Sequence, residues 1–188
     1  EPDNARAAQD SATCFVRMGQ LAEAESALRT VVAMQPDNTE ALEDLAVLLV
    51  VGKRWDEAEE LFRRALDHAP ARADTRMKYA LALMHHGDVA RATQEMETTL
   101  RQFPEFAEGH YHLGLLHLRL QRTEDAAAQF EQAARLKPDF ADAWFRLALV
   151  RAAQGRNEEA REPLMNAVRL APERKEFVDE LNRLFPPP

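Results

Sequence analysis

The residues that could do chemistry are few and poorly spaced for it. His110, His112 and His117 fall on one predicted helix, yet only His110 and His117 share a face, and a seven-residue separation suits metal ligation badly. His85 and His86 are adjacent and point apart. The single cysteine, Cys14, cannot close an internal disulfide and lies on an apolar helix face, where a small core hydrophobe is expected. No Cys/His cluster of zinc type, glycine-rich phosphate loop or Ser/His/Asp arrangement with a supporting strand is present. The expectation is a segment with no enzymatic activity and no cofactor or metal of its own; an enzyme domain could lie outside it.

The elements that would position these residues are helices. Of 188 residues, 46% are hydrophobic and 30% charged, which excludes a disordered chain. Only six glycines, and long Ala/Leu/Glu/Arg stretches without β-branched alternation, point to an all-α protein. A net charge of −8 argues against nucleic acid as a partner, since that would demand a basic face. No run of 18 apolar residues occurs and no charged-then-apolar leader opens the chain, so direct membrane insertion is not expected. The opening Glu1-Pro2-Asp3-Asn4 lacks a starting Met and matches the later Gln35-Pro36-Asp37-Asn38, as a piece cut from a longer protein would. A cytoplasmic location is favoured, with export left open.

Proline organises the helices. It recurs at Pro2, Pro36, Pro70, Pro104, Pro138 and Pro172, always 34 residues apart, which defines units 3–36, 37–70, 71–104, 105–138 and 139–172. A unit of that size cannot bury a core alone, so neighbours must stack and leave an extended surface. Small residues fall into columns at Ala12, Ala46, Ala80, Gly114 and Ala148, and again at Ala24, Ala58, Ala92, Ala126 and Ala160. Two antiparallel helices approach closely only where side chains are minimal, so these columns mark a helix crossing in every unit. Leu28, Phe62, Met96, Phe130 and Leu164 supply the bulky residue beside it. Gly19, Gly52, Gly87 and Gly155 suit the left-handed end of a first helix; Gln121 stands there in the fourth unit, at a cost of about 1 kcal/mol.

These columns resemble the tetratricopeptide repeat family over residues 3–172. The fifth unit carries the family pattern as Trp144, Leu147, Ala148, Gly155, Ala160, Leu164, Ala167 and Pro172. The second carries Leu45, Ala46, Ala58, Phe62, Ala65 and Pro70, and the fourth Leu113, Gly114, Ala126, Phe130, Ala133 and Pro138. The first and third depart from it with Ser11 and Tyr79 in the leucine column and with Val31 and Thr99 in the late small column. The resemblance implies a right-handed α-solenoid of antiparallel helix pairs. Its inner surface, lined by the first helix of each unit, binds peptides or helices of other proteins.

Placed on that pattern, the inward columns are Gln9, Glu43, Met77, Tyr111 and Phe145; Thr13, Val47, Leu81, Leu115 and Leu149; and Val16, Val50, Met84, Leu118 and Ala152. The expected partner-binding residues are Val47, Val50, Met77, Leu81, Met84, Tyr111, Leu115, Leu118, Phe145 and Leu149. Such a row suits an amphipathic helix or an apolar peptide, although some members must also pack between adjacent first helices. Asp74, Glu108 and Asp142 precede Lys78, His112 and Arg146 by four residues, the spacing of stabilising helical pairs. Two ligand classes of the family are disfavoured. A two-carboxylate clamp needs inward asparagine, and an asparagine ladder would occupy Asp10, Asp44, Lys78, His112 and Arg146.

After Pro172, Phe177, Leu181 and Leu184 form one apolar stripe, as a capping helix over residues 173–188 requires, and Pro186-Pro187-Pro188 stops it. Pro163 falls inside a second helix, where a kink near Arg161 on an outer face is expected. The function implied is a protein-interaction scaffold for a helical or extended apolar segment. The alternatives are a self-associating module that builds a homo-oligomer and a targeting appendage to an enzyme.

Overall fold

The 34-residue period is carried directly into the backbone. A computed structural model describes the backbone of residues 2–186 and the side chains of residues 4–186. Eleven helices follow one another among the described residues: α1 (Pro2–Arg17), α2 (Leu21–Met34), α3 (Thr39–Val51), α4 (Trp55–His68), α5 (Ala73–His86), α6 (Val89–Gln102), α7 (Ala107–Arg119), α8 (Thr123–Leu136), α9 (Ala141–Ala153), α10 (Asn157–Leu170) and α11 (Lys175–Leu184). The second helices α2, α4, α6, α8 and α10 are each 14 residues long and begin 34 residues apart. Each ends two residues before its proline, which cannot continue the helix.

Two compact units make up the chain, one ending at Asp88 and the other beginning at Val89. The division falls between α5 and α6, inside the third 34-residue repeat, and not at a proline. In the first unit α1 pairs with α2 and α3 with α4, and α5 packs on both α3 and α4. In the second, α7 pairs with α8 and α9 with α10, with α6 against α7 and α11 against α10.

Packing follows the columns. Ala24, Ala58, Ala92, Ala126 and Ala160 are fully buried, and so are Phe62, Met96, Phe130 and Leu164. Each large member of the set stabilises by roughly 1.5–3 kcal/mol through burial. Gly114 replaces alanine at one crossing for a steric reason: a Cβ there would stand 2.6 Å from the Phe130 ring. Val31 and Thr99 are fully buried, so neither departure from the small column opens a gap. Tyr79 is buried too and hydrogen-bonds Glu59 at 2.9 Å.

Four expectations are corrected. The left-handed column runs through Gly19 (φ 74°), Lys53 (φ 60°), Gly87 (φ 102°), Gln121 (φ 58°) and Gly155 (φ 76°), so Gly52, one residue early, has an ordinary φ of −74°. Cys14 and Ser11 are exposed. Their column mates Val150 and Leu147 pack on Ala126 and Ala127 of the preceding second helix, and no such helix precedes α1 among the described residues. Pro163 leaves α10 continuous and is buried, not on an outer face. The Glu159 carbonyl that it frees accepts a bond from Arg151 Nη1 at 3.4 Å. Finally, the acids beginning α7 and α9 pair outside their own helices: Glu108 with Lys137 at 2.7 Å and Asp142 with Arg174 at 2.7 Å. Lys137 caps the end of α8 and Arg174 the start of α11, and from each loop a long side chain reaches back to the acid. α11 ends at Leu184, before Pro186; Pro187 and Pro188 lie outside the described residues.

Candidate partner-binding face

Helix geometry decides how much of each first helix stays accessible. A residue in the small or leucine column turns toward its paired helix and disappears, whereas residues about 100° around the axis face away from that pair. Of the ten expected binding residues, none is fully buried. In the first unit Val47 is 43% exposed, while Val50, Met77, Leu81 and Met84 are half-buried. In the second, Tyr111, Leu115, Leu118, Phe145 and Leu149 are all half-buried.

Those in the second unit are partly committed to packing. Tyr111, Leu115 and Leu118 lean on the cluster around Phe130, and Tyr111 also meets Phe140 with ring centres 4.9 Å apart. Phe145 packs against Phe177 of α11 at 4.3 Å. Tyr111 and Phe145 thus join neighbouring repeats while keeping one edge accessible.

The first unit contains two polar features that column reading missed. Glu43, inside the inward row, is fully buried; it accepts hydrogen bonds from Thr75 Oγ1 and from Lys78 Nζ, the latter at 2.6 Å. Lys78 therefore serves the neighbouring repeat and not Asp74 on its own helix. A buried carboxylate is expensive unless fully partnered, so Thr75 and Lys78 are what make Glu43 tolerable. The signal was available as one acid in an otherwise mostly apolar column, with a base 35 residues on. Beside it, Asp44 stands half-buried on the wall of a hollow between the α1–α2 pair and α3; burial pushes its carboxyl above the usual range despite Lys78 nearby.

Charge on the second helices is closed into networks. Arg29 and Arg54 each bond both Glu25 and Glu57, at 2.6–2.9 Å. Paired guanidinium groups hold both carboxyls below their ordinary range. In α7, His110 bonds Gln129 and the Pro104 carbonyl, whereas His112 and His117 each bury an Nδ1 without a partner. Burial holds both below the usual imidazole value. His85 and His86 edge one hollow beside Trp55, on which His86 stacks at 4.4 Å. No group of three or more His, Cys, Asp or Glu among the described residues is placed to hold a metal ion, and none of the described helices is long and apolar enough to cross a membrane.

Stacked helix pairs with a part-accessible apolar row define the class: a helical-repeat protein-interaction scaffold. Two models of the tetratricopeptide repeat match the chain, one over residues 10–74 and 113–174 and the other over 52–116. The chain belongs to the tetratricopeptide repeat family, whose members bind protein partners and are typically non-catalytic. Among similar solved structures, the thermophilic TPR protein TTC0263 of Thermus thermophilus is 19% identical with a TM-score of 0.73, over 96% of this chain and 98% of that one. MamA from Desulfovibrio magneticus RS-1 is 18% identical with a TM-score of 0.73, over 92% and 97%. YrrB, described as a TPR protein with an unusual peptide-binding site, is 17% identical with a TM-score of 0.65, over 92% and 89%. Identities this low establish a shared fold alone. No curated protein matches the sequence.

Proposed function

We propose that this chain is a non-catalytic scaffold that holds a helical or extended apolar segment of a partner protein against its first helices. The observation that carries the reading is the accessibility of the inward row. Val47, Val50, Met77, Leu81 and Met84 in the first unit, and Tyr111, Leu115, Leu118, Phe145 and Leu149 in the second, all keep apolar surface in reach of a ligand. Soluble chains rarely leave such rows uncovered without using them. An amphipathic helix would set side chains spaced i, i+3, i+4 and i+7 into the gaps between them. The likeness to YrrB supports peptide binding as a use of this fold.

Leu81→Glu and Leu115→Glu place a charge in each row at a half-buried position; Leu115 also packs on the Phe130 cluster, so retained helicity is the control for that variant. Both variants should lose capture of a protein partner, as judged by co-purification, while circular dichroism stays helical. Unchanged capture by both folded variants would sink the proposal.

A further inference from the structure

The first unit holds a hollow of about 380 Å³ between α1, α2 and α3. Small side chains, Ala12 and Thr13, line its α1 wall, where the third to fifth repeats place Leu81, Leu115 and Leu149 in the column of Thr13. The rim is apolar and open, with Val16 49%, Leu21 44%, Val47 43% and Val51 62% exposed.

Two charges line this hollow, and they differ in what they lack. Arg17 is exposed and keeps its water. Asp44 is half-buried and makes no hydrogen bond or ion pair among the described residues; the cation whose charge acts on it, Lys78, is taken by Glu43 at 2.6 Å, and Glu40 and Glu43 add negative charge around it. A carboxylate that has lost hydration without gaining a partner is the strongest unsatisfied demand on this surface. An arriving cation relieves it, while an acid meeting Arg17 would only exchange one solvated contact for another. The chain's net charge of −8 favours the same sign of partner.

We propose that this hollow seats an amphipathic segment of a partner protein, whose aliphatic side chains enter between α1 and α3 and whose Lys or Arg pairs with Asp44. The inference rests on the scaffold reading above and adds the partner's chemistry. Asp44 is then a specificity residue held at a cost to the free protein. Its raised proton affinity means that the folded state is penalised as pH rises through its folded pKa.

The test pans a display library of random 20-residue peptides against the intact chain and against Asp44→Asn, then measures selected synthetic peptides by fluorescence anisotropy. The isosteric Asp44→Asn should melt no lower than the parent at pH 7, which keeps a loss of binding separate from misfolding. Peptides selected by the parent should combine Leu, Ile or Phe at helical spacing with Lys or Arg. Asp44→Asn should weaken them about tenfold, and changing the peptide's base to Met should weaken binding to the parent but not to the variant. Apolar peptides without a basic bias, or equal binding by Asp44→Asn, overturn the Asp44 pairing and leave the scaffold reading standing. Selection of acidic peptides also overturns it, as does a chain that dimerises on its own through this hollow. Recovery of no peptide overturns both readings.

Discussion

At the residue scale the repeat is built around steric minima, and the exceptions test the rule. Gly114→Ala would drive a methyl into the buried Phe130 ring, so it should lower stability by about 1–3 kcal/mol in urea unfolding, even though the other four repeats carry alanine there. Lys53 and Gln121 occupy a left-handed backbone that glycine occupies in the other three repeats. Lys53→Gly and Gln121→Gly should each raise stability by about 0.5–1 kcal/mol, because relief of the Cβ clash outweighs the added freedom of the unfolded chain. Absence of a gain in either would mean that a contact of the native side chain offsets the strain. The Gln121 site could be seen in the sequence as a missing glycine. The Lys53 site could not, because Gly52 one residue earlier offers a plausible turn that the backbone does not use.

At the element scale, α10 shows how a broken rule is compensated. Pro163 removes one helical bond, and Arg151 on α9 donates to the stranded Glu159 carbonyl while also pairing with Glu131 at 3.0 Å. Arg151→Met should therefore cost about 1 kcal/mol in thermal unfolding. The cost should shrink in a Pro163→Ala background, where the helix satisfies its own carbonyl. Equal costs in both backgrounds would mean that Arg151 acts through the carboxylates of Glu131 and Glu159 alone. A proline at this position signals a defect, but only the antiparallel neighbour reveals the repair. α11 is the complementary case. Its stripe of Phe177, Leu181 and Leu184 was legible, and the structure buries Phe177 completely against Ala167, Ala171 and Phe145. Phe177→Ala should destabilise the second unit by about 3–5 kcal/mol, since it removes a fully buried ring and leaves a cavity beside Ala167 and Ala171.

At the scale of the whole molecule, pH should act in two stages. His112 and His117 are held below the usual value of 6.5 by burial. Their neutral forms favour folding above that value, and stability falls as pH drops below it, because the unfolded chain then binds more protons. Glu25, Glu57, Glu108, Glu159 and Glu180 are held low by basic partners, so their contribution survives this first stage and is lost only below the usual carboxylate range. Denaturation midpoints measured from pH 8 to pH 3 should show both declines, and His117→Leu should flatten the first. A single decline below pH 4 would contradict the histidine assignment. The carboxylate stage should be shallow, since most of these ion pairs are exposed and worth little each.

The amino-acid sequence alone determined the repeat length, the helix pairs and the crossing columns, because each depends on contacts within a repeat or between adjacent ones that recur every 34 residues. Period makes such contacts visible without coordinates. Tertiary structure decided whatever depends on one particular neighbour in space: Glu43 under Thr75 and Lys78, Arg151 on the Glu159 carbonyl, Cys14 left in solvent, and Asp44 without a partner beside its hollow. These features break the repeat, so a column can flag an odd residue, as it does Glu43, without saying what contacts it. Desolvation and hydrogen-bond geometry over a few ångströms settle each one, and those distances exist only once the helices have packed.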